Sequence, residues 1–498
     1  MRGISYWIEK RAAINPNRIA IISDKEQLTY KELNEQIHHI TSFLSNELNV
    51  KKGDRIGILS QNREEYVALL FAIAKLECIA VPLNIRLNEH ELQFQLADSE
   101  AKFLVIEEEF KQIGEALQKE TGIQLVNIDS FHNIKHGEIP ISFSDVDDEK
   151  PFIICYTSGT TGRPKGAVLT QSNMYWNAMN NMLALDLTSK DKSIVLLPLF
   201  HIGGIGLFAL PTLFVGGTVI IPGKFDPEKA IEMMETYQAT IVMGVPTIHQ
   251  ALIDSLSFAT ANLQSVRWFY SGGAPCPVEL IDAFYDKGFL FGQGFGLTET
   301  SPTVFMLSEE DAPRKKGSIG KPAMFTEIRL VDSEGEDVKP GEVGNLIVRG
   351  PNVMKEYWRL QEATDEAIQN GWFHTGDLAR VDEEGFVYIV GRKKEMLISG
   401  GENIYPLEVE QVIRKLPGVQ EVAVVGESDP KWGEIPVAFV VKKDNAYIRE
   451  EDVIHHCKQY LAKYKVPKEV YFLDELPKNA TGKIQKNQLT KNNKQVRN

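Results

Sequence analysis

The stretch Tyr156-Thr-Ser-Gly-Thr-Thr-Gly-Arg-Pro-Lys-Gly166 decides how the rest of the chain is read. It follows the apolar run Phe152–Cys155, which has the composition of a buried strand. Small hydroxyl residues and glycines leave backbone N–H groups free to surround phosphate oxygens, and Lys165 adds a positive charge. The loop is not a Walker motif, because Gly166 stands where Ser or Thr would have to follow Lys165. The sequence flanking this loop alternates helical and strand patterns, which predicts a layered α/β fold. Upstream, residues 30–48 carry Leu33, Ile37, Ile40, Leu44 and Leu48 at helical spacing. Arg55–Leu59 then reads as a strand, Tyr66–Leu76 as a helix and Ile79–Leu83 as a short buried strand. Downstream, residues 318–350 and 379–391 are rich in short apolar runs and Gly-containing turns, which predicts a β-rich subdomain.

Composition narrows the class. The 498 residues are 43% hydrophobic and 24% charged, as in ordinary globular chains, and the net charge is −14. An acidic chain without a basic tract argues against nucleic-acid binding. Four scattered cysteines without CxxC spacing argue against a disulfide framework or a zinc site, and cytoplasmic localisation is expected. The uncharged stretch 194–222 is long enough to span a bilayer, but Pro198, His201, Pro211 and five glycines interrupt it. A strand, loop, helix and strand are expected there, with no membrane span. Charge is uneven along the chain. Lys478–Arg497 holds six positive residues and no negative one, which suggests either a solvated tail or a face that attracts a polyanion. Among the histidines, His38–His39 and His455–His456 look like surface residues.

Six further segments follow the loop in a telling order. They are Leu197-Pro-Leu-Phe-His-Ile-Gly-Gly204, Gly294-Phe-Gly-Leu-Thr-Glu-Thr300, His374-Thr-Gly-Asp-Leu378, Gly391-Arg392, Ser399-Gly-Gly-Glu-Asn-Ile-Tyr-Pro406 and Asn479-Ala-Thr-Gly-Lys-Ile484. With the Tyr156–Gly166 loop, the chain resembles the adenylate-forming superfamily: acyl- and aryl-CoA synthetases, adenylation domains and firefly-type luciferases.

The resemblance implies a large N-terminal domain (1–391) that holds ATP and the acid, and a small mobile α+β C-terminal lid (392–498) hinged at Lys394. By the same resemblance, ATP is met by Thr157, Ser158, Gly159, Thr160, Thr161, Gly162 and Lys165. Gly272, Gly273, Ala274 and Pro275 with Gly294, Phe295 and Gly296 form the adenine slot, Leu297 and Thr298 also meet ATP, and Asp377 with Arg392 takes the ribose. Thr160 and Glu299 match the Mg²⁺ positions, where a hard cation between phosphates wants few protein oxygens. Lys483 matches the catalytic lysine that joins carboxylate and α-phosphate, two anions whose approach needs positive charge. His201, Gly244, Gly272 and Gly296 would line the acyl pocket, and Gly400, Gly401 and Glu402 a coenzyme A tunnel. Read alone, Lys483 is one more tail lysine, Glu299 a loop carboxylate, Asp377 a helix N-cap and His201 a core histidine.

The function implied is a carboxylic acid–CoA ligase using ATP, Mg²⁺ and coenzyme A, with a homodimer allowed for. A stand-alone enzyme loading a carrier protein and a degenerate nucleotide-binding protein are the other readings. The second is disfavoured because Lys483, Glu299, Asp377 and Arg392 are all present. His201 stands where amino-acid activators usually have an aspartate, so an α-amino acid is not expected. Asp254-Ser-Leu256 imitates a carrier attachment site but sits mid-domain. Gly203, Gly204, Gly206 and Gly244, among apolar Ile205, Val242 and Val245, suggest a roomy pocket. A medium- or long-chain fatty acid is therefore the expected substrate, each buried CH₂ contributing about 0.8 kcal/mol. The alternative is an aryl acid, cinnamate-like or succinylbenzoate.

Overall fold

A computed structural model describes residues 3–133, 146–157, 163–478 and 482–489. The chain divides into two compact units, Met1–Ile328 with Val348–Phe373 and Arg329–Ile347 with His374–Asn498.

The first unit is built on two sheets. One has, among the described residues, seven strands in the order Glu356–Tyr357, Lys165–Thr170, Pro151–Thr157, Ile79–Pro82, Arg55–Leu59, Phe103–Ile106 and Gln124–Asn127. The other centres on parallel strands Phe291–Phe295, Trp268–Ser271, Ile241–Gly244, Lys192–Val195 and Thr218–Ile221. Parallel strands covered on both faces need near-continuous apolar residues, and all of Ile79–Pro82, Phe103–Ile106, Ile241–Gly244 and Trp268–Ser271 are buried. One core joins residues of both sheets, including Ile21, Val219, Ile56 and Ala80.

The helix Glu64–Lys75 lies in that core with every residue before Lys75 buried, as a helix that is apolar nearly all round must be. Its buried Glu65 is held by two bonds from the Arg63 guanidinium at 2.6 and 2.8 Å. Arg63 also meets Asp129 at 2.7 Å and Glu107 at 3.4 Å, so its guanidinium gathers three carboxylates.

Strands 55–59 and 152–155, the helix after Glu64 and the β-rich segments lie where the sequence predicts them. The uncharged stretch resolves into strand Lys192–Val195, helical turns Gly204–Ala209 and Leu210–Val215, and strand Thr218–Ile221. Among the described residues, no helix is long and apolar enough to cross a membrane. One expectation is corrected: His38 and His39 are buried, at 6% and 8% exposure. They fall on the inner face of helix Tyr30–Ser42, whose period places them beside Leu33, Ile37 and Ile40.

The second unit contains the antiparallel pair Trp372–Val381 (from His374 onward) and Val387–Arg392. It continues into a sheet in which Val419–Asp429 and Gly433–Lys442 pair along their length, with Glu469–Leu473 parallel to the latter. Alternate residues of this hairpin serve two cores. Val422, Val424, Ala438 and Val440 pack with helix residues Val409, Ile413, Val453 and Cys457. Ala423, Val425, Val437, Phe439 and Val441 pack with Leu476 and Leu489, and Ile484 lies against them. The C-terminal segment around Lys483 is thus pinned to one face of the sheet by apolar residues one position out of phase with those that meet the helices.

Candidate active site

Parallel strands end on one edge of a sheet, and in such sheets ligands bind beyond the carboxyl ends. The strands Lys192–Val195, Ile241–Gly244, Trp268–Ser271 and Phe291–Phe295 are mutually parallel neighbours. Their topology therefore gathers four predicted segments at that edge: the His201 loop, Gly244, Gly272–Pro275 and Gly294–Thr300.

The phosphate-type loop closes a hairpin in which Thr157 pairs with Lys165. Ser158, Gly159, Thr160, Thr161 and Gly162 lie outside the described residues. Glu299 sits in the short turn Thr298–Thr300 and is 9% exposed. Its Oε1 accepts the Tyr357 hydroxyl at 2.9 Å and the Thr157 hydroxyl at 3.4 Å. The Lys165 ammonium lies 5.0 Å from the Tyr357 ring centre, so one tyrosine touches both the carboxylate and the loop lysine. Asn352 donates to the carbonyls of Thr300 and Thr303 at 2.9 and 2.7 Å, and Met354 N–H to that of Glu299 at 2.7 Å. The segment 352–357 thereby holds the Gly294–Thr300 loop in shape. Sequence reading missed Asn352 and Tyr357, since nothing in their spacing links them to a turn more than fifty residues away.

Among the described residues, no group of three or more His, Cys, Asp or Glu side chains is arranged to hold a metal ion. One buried carboxylate suits Mg²⁺, which takes one or two carboxylates and fills its shell with phosphate oxygens and water. We expect Glu299→Gln to raise the Mg²⁺ concentration for half-maximal adenylation by about 10²-fold, and Tyr357→Phe by about tenfold. Mn²⁺ binding with a non-hydrolysable ATP analogue, followed by electron paramagnetic resonance, gives a second readout. Superimposable metal titrations for parent and both variants would remove Glu299 from the assignment.

His201 is half-buried, with its ring 5.7 Å from that of Phe200. Burial, and then the charge of Arg86, lowers its pKa to about 4, so it is a neutral imidazole at physiological pH. Of the glycines that suggest a roomy pocket, Gly204, Gly206 and Gly244 have other causes, as has Gly296 of the expected acyl site. A Cβ on Gly204 would lie 2.2 Å from the Pro198 carbonyl oxygen, one on Gly206 2.8 Å from that of Ser301, and one on Gly296 1.4 Å from that of Pro302. On Gly244 it would meet Ile248 at 2.9 Å and the buried His249 ring at 3.1 Å. These residues are small because neighbouring chain fills the space.

In the second unit, Asp377 and Arg392 face each other across paired strands, with Arg392 Nε 2.7 Å from Asp377 Oδ1. Asp377 is a strand residue, 3% exposed, and its N–H donates to Thr375 Oγ1 at 3.0 Å. Lys483 keeps solvent contact close to this pair. Desolvation by the atoms around it, followed by the Arg392 guanidinium, lowers its ammonium below the ordinary lysine value, while Asp377 and Glu395 act in the opposite sense. Lys394 lies in the turn Lys393–Glu395. Gly400 and Gly401 have φ of +60° and +87° at the tip between Leu397–Ser399 and Glu402–Ile404, the conformation a two-residue hairpin asks of glycine. A Cβ on Gly400 would lie 2.9 Å from the Trp432 ring, and Glu402 is exposed.

Comparison with known proteins agrees with this layout. The family described as AMP-binding enzyme matches residues 8–358, and the AMP-binding enzyme C-terminal domain matches residues 408–483. The chain is 40% identical to a feruloyl-CoA synthase of an Amycolatopsis species, over 98% of each chain. It is 38% identical to an indoleacetate–CoA ligase of Aromatoleum aromaticum, over 97% of this chain and 96% of that one. Among solved structures, the o-succinylbenzoate CoA synthetase of Bacillus subtilis in complex with its acyl-adenylate intermediate superimposes with a TM-score of 0.89 at 36% identity, covering 97% of each chain. The same enzyme has been solved with ATP and a magnesium ion. The motif order, the gathered loops and matches along nearly the whole length lead to one conclusion: the chain belongs to the AMP-binding enzyme family, the adenylate-forming superfamily, as an AMP-forming acid–thiol ligase.

Proposed function

We propose that this ligase activates an aryl carboxylic acid with ATP and passes the acyl group to coenzyme A. In the first step a carboxylate oxygen attacks the α-phosphorus and pyrophosphate leaves. In the second the coenzyme A sulfur attacks the acyl carbon and AMP leaves. Lys483 supplies positive charge where the two anions meet. Asp377 accepts from the ribose hydroxyls, oriented by Arg392, and Gly273–Pro275 with Gly294–Thr298 contact the base. Thr157, Ser158, Gly159, Thr160, Thr161, Gly162 and Lys165 hold the phosphates. Thr160 and Glu299 hold Mg²⁺, which neutralises phosphate charge when bound. Residues 392–498 act as a lid pivoting at Lys394, which presents Lys483 for the first step and Gly400–Glu402 for the second.

The aryl reading replaces the fatty-acid expectation. The observation that carries it is full-length similarity to ligases whose names specify feruloyl, indoleacetate and succinylbenzoate groups. The packed Cβ positions of Gly204, Gly206 and Gly244 support it, because they weaken the argument for a long apolar channel. The test is acid-dependent ATP–pyrophosphate exchange over ferulate, indoleacetate, succinylbenzoate, benzoate, decanoate and palmitate, followed by coenzyme A addition. We expect an aryl acid to exceed both fatty acids in kcat/KM by at least about tenfold, a difference of about 1.4 kcal/mol. A fatty acid at the head of the panel would reverse the reading. Exchange without coenzyme A turnover would point to a carrier protein as acceptor.

A further inference from the structure

The positive run at Lys478–Arg497 proves to be partly internal. Lys478 pairs with Glu421 at 2.7 Å. The Lys486 ammonium sits between two carboxylates, 2.7 Å from Glu410 and 3.1 Å from Glu395. Glu410 Oε1 also accepts the N–H of Val424, in the long hairpin, at 2.7 Å. Burial works against the charge on Lys486, yet Glu410 and then Glu395 hold its ammonium above the ordinary lysine value.

These contacts join three parts of the second unit. Lys486 is three residues beyond Lys483, Glu395 immediately follows Lys394 in its turn, and Glu410 lies on the helix Pro406–Arg414. The chain on either side of Lys483 is already tied by Gln485 N–H to the Pro477 carbonyl at 2.8 Å and by the packing of Leu489. Those ties fix the segment to the sheet; the Lys486 ammonium adds a direct salt bridge to Glu395, in the turn at Lys394. Displacing a reacting group by about 1 Å can slow a step by about 10²-fold.

We propose that Lys486 is a positioning residue for the adenylation step, holding the backbone beside Lys483 in fixed relation to the Lys394 turn through Glu395 and Glu410. The inference rests on the proposed role of Lys483. The experiment compares Lys486→Met, Lys486→Arg, Glu395→Gln and Lys483→Ala in the full chain. Each is measured for pyrophosphate exchange, for thioester formation from supplied acyl-adenylate and for melting temperature.

Lys486→Met should lower the exchange kcat by about 30- to 100-fold with thioester formation within about threefold of parent, and Lys486→Arg should recover most of the loss. Glu395→Gln, which strands no buried ammonium because Glu410 remains, should lower exchange by about fivefold at an unchanged melting temperature. That variant decides the matter if Lys486→Met does not fold. Unchanged exchange in Glu395→Gln and Lys486→Met, or a parallel fall of both half-reactions, would overturn the proposal. Loss of exchange in Lys483→Ala alone would overturn the role of Lys486 and keep that of Lys483. Retention of exchange in Lys483→Ala would overturn both.

Discussion

Lys483→Ala is expected to lower acid-dependent pyrophosphate exchange by about 10²- to 10³-fold, or about 3 to 4 kcal/mol of transition-state stabilisation. The lysine stands at the Asp377–Arg392 pair, and its ammonium is already held below the ordinary value by desolvation and by Arg392. A cation kept in that setting without substrate gains most when the negative charge of two reacting anions arrives. Thioester formation from supplied adenylate should stay near the parent rate, because that step joins a thiolate to a carbonyl and needs no charge at the α-phosphate. Equal loss in both half-reactions would show that the residue serves folding or general binding instead. Lys483→Arg should recover little, since a planar guanidinium does not reproduce a point charge on a flexible stem.

The second large effect falls on Gly296. An added methyl would sit 1.4 Å from the Pro302 carbonyl oxygen, far inside contact distance, and that obstacle is main chain. The loop from Gly294 to Thr300 would have to move, taking Glu299 with it. We expect Gly296→Ala to cost about 4 kcal/mol or more and to abolish exchange even where the protein still folds. Gly288→Ala is the matched control. Its φ is +82° but a Cβ there meets nothing within 4 Å, so it should cost only about 1 to 2 kcal/mol. Thermal melts of the two variants beside the parent separate steric conflict from backbone strain. Equal melting temperatures for both would contradict the packing argument.

Much of this was legible beforehand. Strand–helix alternation showed the layered α/β fold because burial on both faces forces apolar runs whose length and period survive in one dimension. Lys165 was legible as the charge of a phosphate-type loop, whereas Glu299, Asp377, Arg392 and Lys483 were singled out through the family resemblance of the ordered motifs, since read alone Lys483 is a tail lysine and Glu299 a loop carboxylate. The helical spacing of Leu33, Ile37 and Ile40 was clear too, but the same period carried His38 and His39 into the core, where polarity alone had placed them outside.

By itself, then, the sequence determined the superfamily chemistry and the architecture, since both are written in local pattern. Only the tertiary structure decided which side chains meet. Tyr357 reaches Glu299, Asn352 ties down the loop around it, and Lys486 spans Glu395 and Glu410, through contacts between segments remote in the chain. It also decided why the glycines are small. A missing side chain reads the same in sequence whether the space beside it holds a substrate or another stretch of backbone, and only packing tells the two apart.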